Sequence, residues 1–66
     1  MQYGTVKMWD SGKGFGFIVS DDDDELFVHA NDLHVTLKGL REGQRVGFDI
    51  RSEMKGDKAI NVRVLK

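Results

Sequence analysis

Two short stretches hold the side chains with the most chemical potential in this chain. KGFGFIV, Lys13 to Val19, places Phe15 and Phe17 two residues apart beside a lysine, and LFVH, Leu26 to His29, adds Phe27 and His29 at the same spacing. In extended chain, residues two apart point to one face, so each stretch presents a pair of rings. Rings interleaved with lysines suit single-stranded nucleic acid. Every base offers a π-face that stacks on a ring, worth about 1–3 kcal/mol per base, while ammonium groups neutralise the phosphates. Glycines between the rings permit close approach and sharp bending. Lys7 and Lys13 are the cations expected near such a surface.

Other chemistries find little support. His29 and His34 have no cysteine or third ligand to complete a zinc site, and the 66 residues contain no cysteine. No nucleophile, base and orienting residue can be grouped, so no enzyme and no cofactor is expected. GKGFG lacks the Gly-Lys-Ser/Thr ending of a phosphate loop and the helix that must follow it. The run DDDDE, Asp21 to Glu25, has neither the spacing nor the central glycine of a calcium loop, and reads as a solvated turn.

Composition narrows the partner further. Ten basic residues oppose eleven acidic ones, for a net charge of −1. Bulk electrostatics therefore cannot drive nucleic-acid binding, which must depend on where the lysines and rings lie. No segment approaches the roughly 20 apolar residues of a membrane span, and MQYGTVKMWD has no signal-peptide core. A cytoplasmic monomer with no membrane or metal partner is the expectation.

The elements that must position the rings follow a period of two. Val6 and Met8, then Val46, Phe48 and Ile50, then Ile60, Val62 and Val64 each mark one face of a strand. With the two ring-bearing stretches this gives five strands, near 2–10, 14–20, 25–30, 44–52 and 58–65. DSGKG, EGQ and MKGDK supply turns, and Asn31 or Asp32 can cap a single helical turn. Five short antiparallel strands in one domain, residues 1–66, must curl into a barrel to cover their edges. A five-stranded antiparallel all-β barrel of the oligonucleotide-binding (OB-fold) type follows; an SH3-like barrel has a similar strand count, and periodicity does not separate them.

The expected core comprises Val6, Met8, Ile18, Leu26, Val28, Val46, Phe48, Ile50, Ile60, Val62 and Val64. It fills a small barrel without Phe15, Phe17 or Phe27, which alternation places outside with His29. Strict alternation also faces Trp9 outward, whereas a bulge near Asp10 would turn it inward. A protein-interaction barrel that grips a peptide with the same rings is the competing function.

The ordered motifs resemble one family along the whole chain. KGFGFI followed by LFVH is similar to the paired ribonucleoprotein-type motifs of bacterial cold-shock proteins. GTVKMWDSGKGFGFI resembles that family's opening, LREGQRVGFDI its fourth strand and KGDKAINV its final motif. The resemblance implies an OB-fold barrel that binds single-stranded RNA or DNA and melts RNA structure in transcription and translation. It implies that Phe15, Phe17, Phe27 and His29 are stacking residues and that Lys7 and Lys13 contact phosphate, with Lys55 in the last loop. Departures fall at the margins: Met8 stands where the family has tryptophan, Trp9 follows it, and Ala30 and Leu37 replace aromatics. The resemblance thus implies a ring platform with an intact centre and reduced edges.

Overall fold

The computed structural model describes residues 1–65. Its strands are β1 (Gln2–Asp10), β2 (Phe15–Ser20), β3 (Glu25–His29), β4 (Arg45–Glu53) and β5 (Gly56–Val64), with a 3₁₀ turn at Ala30–Asp32. They close into a barrel in the order β1-β2-β3-β5-β4. The five neighbouring pairs are not all alike: β1–β2, β2–β3, β4–β5 and β1–β4 run antiparallel, but β3 and β5 close the barrel in parallel at Phe27–Lys58 and Val28–Ala59. The barrel is thus mixed, not purely antiparallel. Only the long connection from β3 to β4 and back through β5 makes this possible, because parallel neighbours cannot be joined by a tight turn.

One extra residue in β1 decides which side chains enter the barrel. Val6 pairs with Ile18, but Met8, two residues later, pairs with Phe17, one residue earlier, so Lys7 is bulged out of the ladder. The backbone of Val6 is held at this point by the chain entering β4, with its N–H donating to Gln44 O (2.9 Å) and its C=O accepting from Gly43 N (2.8 Å). A one-residue slip exchanges the two faces of a strand. Met8 therefore turns outward, 37% exposed, and Trp9 turns inward to pack against the core. The bulge sits at Lys7, three residues before the expected place.

Gly16 is the counterpart of that slip. It pairs with Trp9, and a Cβ on it would collide with the Met8 carbonyl oxygen and fall 2.9 Å from Trp9 Cα. Both obstacles are backbone, so neither can swing away. A second bulge corrects the expected core in β5. Asp49 pairs with Ile60 although Gly47 pairs with Arg63, and Asn61 adopts a left-handed backbone (φ 52°) between them. Ala59 and Val62 consequently face inward and are fully buried, while Ile60 is only half-buried.

The core is completed by residues outside the strands. Leu33 and Leu40 of the β3–β4 connection are buried with Val6, Ile18, Leu26, Val28, Val46, Phe48, Ala59 and Val62. Leu33 bridges Val62 in parallel, and His34 N donates to Val62 O (2.8 Å). Val64 packs only at the core margin. Ile50 remains 38% exposed because β4 has left β1 by that point and runs on with β5 alone as a two-stranded ribbon.

The acidic run is a built turn. Buried Ser20 accepts through Oγ from Asp22 N (3.2 Å) and Asp24 N (3.1 Å), and Asp23 takes a left-handed backbone (φ 67°). Arg45 grips Asp21 with two hydrogen bonds, of 2.6 and 3.1 Å, tying the turn to β4. That hydrogen bond holds the Asp21 carboxyl below its ordinary value.

Two outcomes follow. Gly16→Ala should lower stability by about 1–3 kcal/mol, the usual cost of overpacking, read as a fall in urea midpoint; an unchanged midpoint would place Trp9 elsewhere. A depressed folded-state pKa contributes stability above the unfolded value that is lost as pH falls through the folded one. The unsubstituted domain should therefore lose more stability than Asp21→Asn on acidification below about pH 4, and equal losses would remove Arg45 as a partner.

Candidate nucleic-acid interface

Register alone assembles the rings. Phe17 lies opposite Phe27 and Phe15 opposite His29 across the β2–β3 ladder, so all four share the outward face. Phe27 is the centre: its ring centroid is 5.6 Å from Phe15 in a tilted arrangement and 5.9 Å from Phe17 edge-on. These separations are those of favourable aromatic pairs. The opposite faces of the same strands carry buried Gly16, Ile18, Leu26 and Val28, which fix the rings from below. His29 Nδ1 accepts from Asn31 N (3.1 Å), so its ring is oriented by the start of the 3₁₀ turn.

The turn before β2 is equally fixed. Asp10 Oδ1 accepts from Gly12 N and Lys13 N, both at 3.0 Å, and its carbonyl accepts from Gly14 N at 2.8 Å. Gly14 takes a left-handed backbone (φ 72°), which only glycine adopts without strain, and its carbonyl accepts from Ala30 N (2.8 Å). Phe15 and the 3₁₀ turn after His29 are thereby joined. Lys13, at the tip, has its side chain exposed.

Beyond Phe27 the surface falls into an open cleft of ≈ 550 Å³, lined by Phe17, Phe27, His29, Glu53, Lys55, Gly56, Asp57 and Lys58. One wall is aromatic and the other is the charged tip of the β4–β5 hairpin. Lys55 stands in the two-residue turn of that hairpin, and Lys58 lies beside Phe27 in the parallel register. Lys58 Nζ is 3.1 Å from Asp32 Oδ2 and 3.6 Å from Glu53 Oε1. The hydrogen bond to Asp32, reinforced by Glu53, raises its pKa above the ordinary lysine value.

The expected site residues, and the positions Met8, Trp9 and Leu37 at their margins, occupy different settings. Phe15, Phe17, Phe27 and His29 form one surface, with Met8 beside Phe17 across β1–β2 and Lys55 across the cleft. Lys7 projects from the bulge and pairs with Glu25 on β3 at 3.0 Å. Trp9 lies inward, with Gly39 passing close to its indole nitrogen. Leu37 packs at the core margin and lines a separate depression with His34, Thr36, Arg63 and Val64. Sequence reasoning overlooked Lys58, Glu53 and Asp57, because the parallel β3–β5 closure that brings them to Phe27 leaves no local pattern. Among the described residues no cluster of three or more potential metal ligands exists, and no helix is long and apolar enough to cross a membrane.

The opposite orientations of Met8 and Trp9 are separable in solution. Trp9→Ala should destabilise the fold by about 3 kcal/mol, as for other packed aromatics, whereas Met8→Ala should shift the denaturation midpoint little. The reverse ranking would return Trp9 to the surface.

Known proteins align with this chain from end to end. The model of the 'Cold-shock' DNA-binding domain matches residues 2–65. The cold shock-like protein of Aquifex aeolicus is 45% identical over 64 residues, covering 94% of this chain and 91% of its own. Cold shock protein CspC of Bacillus subtilis is 42% identical, covering 96% and 97%. The major cold shock protein of Streptococcus pyogenes serotype M6 is 38% identical, covering 98% of each chain. With a family match over almost every residue and relatives aligned over nearly their whole length, this chain belongs to the cold-shock domain family of nucleic-acid-binding proteins.

Proposed function

We propose that this domain binds single-stranded RNA and DNA by stacking successive bases on Phe15, Phe17, Phe27 and His29. Lys13 and Lys55 meet the phosphates from opposite ends of the ring surface, and Lys7 stands at the β1 bulge, where a phosphate has to displace Glu25 to reach it. The observation that carries the reading is the continuous ring cluster around Phe27, with centroids 5.6 and 5.9 Å apart, on an outward sheet face and not in the core. A duplex hides its base faces, so a surface of this kind selects unpaired strands.

Selection of unpaired strands has a thermodynamic consequence. A ligand that binds only the open state shifts an opening equilibrium by mass action. The domain therefore acts as an RNA chaperone, without catalysis, by holding RNA segments open during transcription and translation in the cytoplasm. Met8, Ala30 and Leu37 supply less aromatic area at the margins than the family motif does, which favours short or weakly held contacts.

Titration with oligothymidine at two salt concentrations tests this directly. Binding should weaken with salt as phosphate contacts release counterions. Phe27→Ala should cost about 1–3 kcal/mol of affinity, with a smaller change in stability because Phe27 is 36% exposed. No binding at low salt by the folded domain would overturn the proposal and leave a protein-binding surface as the better account.

A further inference from the structure

Two of the cations around the rings are already neutralised by the protein itself. Lys7 reaches across β2 to Glu25, 3.0 Å away, with both side chains about half exposed at 56% and 49%. Lys58, beside Phe27, is held by Asp32 at 3.1 Å and by Glu53 at 3.6 Å, and is far less exposed at 22%. Lys13 and Lys55 make no ion pair among the described residues. Four lysines thus border or approach the ring surface, and carboxylates hold two of them, Lys7 and Lys58.

A carboxylate and a phosphate offer an ammonium group the same anionic oxygen. A lysine whose charge is compensated has little left to attract a phosphate, and displaces few counterions unless its carboxylate lets go. Lys58 is fixed by two partners in a partly covered position, so its pairs persist. Lys7–Glu25 is exposed and single, and exposed pairs are weak enough to exchange. Glu25 also shares the outward face of β3 with Phe27, two residues away, so a strand stacked on Phe27 passes close to it.

We propose that Glu25 is an internal competitor for phosphate at Lys7, and sets how far this domain relies on stacking over charge. In this arrangement the rings supply most of the affinity and the backbone of the nucleic acid little. Binding should then be less sensitive to salt than the number of nearby lysines suggests. The inference rests on the base-stacking reading, and extends it to Glu25, the partner of Lys7.

Oligothymidine titrations over a range of salt, on the full chain, test it. Glu25→Gln should bind about two- to fivefold tighter at low salt, the span of an exposed ion pair. Its logarithmic salt slope should be steeper by about 0.7, one additional phosphate contact on a single strand. Asp22→Asn makes the same change in net charge without touching Lys7 and should leave the slope unchanged. Lys7→Gln should cost little in the unsubstituted domain but abolish the gain in the Glu25→Gln background. Equal slopes for Glu25→Gln and the unsubstituted domain would overturn the proposal, as would reproduction of the effect by Asp22→Asn. Either result leaves base stacking intact if Phe27→Ala still loses affinity; absence of binding by the unsubstituted domain overturns both.

Discussion

The extra residue at Lys7 is the constraint on which the rest of this barrel depends. It lets β1 leave β4 after Val6 and continue with β2 alone, and it reverses the facing of all that follows. Trp9 then fills the barrel over Gly16, and Met8 joins Phe17 outside. The same residue that makes the bulge carries the ammonium group paired with Glu25. Core packing, the edge of the ring surface and one of its cations thus share a single irregularity. Its cost is limited because the chain entering β4 satisfies both backbone groups of Val6.

The ring surface itself is an economical product of sheet geometry. Two strands that alternate ring and small or aliphatic residue, paired in register, give a cluster without any loop to hold it. Buried Ile18, Leu26 and Val28 on the reverse face make the platform as rigid as the core. Rigid rings lose little side-chain freedom on stacking, which suits the proposed contact with bases. The acidic turn between the strands is pinned by Ser20 and Arg45, leaving its remaining aspartates exposed beside the sheet. Of the acidic groups that do lie at the ring surface, Glu25 is paired with Lys7 and Glu53 with Lys58.

Much of this was legible in the sequence. All five strands fall within two residues of their expected bounds, and Phe15, Phe17, Phe27 and His29 share the face that alternation assigned them. What escaped has identifiable physical causes. Bulges at Lys7 and Asn61 interrupt the period of two, so Met8 and Ile60 were expected inside and Trp9 was left unresolved. Leu33 and Leu40 reach the core from a segment with no period at all. The parallel β3–β5 contact, which brings Lys58 and the hairpin tip to Phe27, is a long-range closure that no local pattern encodes.

The central claim is that bases stack on the face centred on Phe27 while Trp9 serves the core. Chemical-shift mapping with oligothymidine addresses it most directly. The account predicts the largest perturbations at Phe15, Phe17, Phe27 and His29, smaller ones at Lys13 and Lys55, and little change around His34 and Arg63. Perturbations centred on the His34–Arg63 depression, with the four rings unmoved, would contradict it.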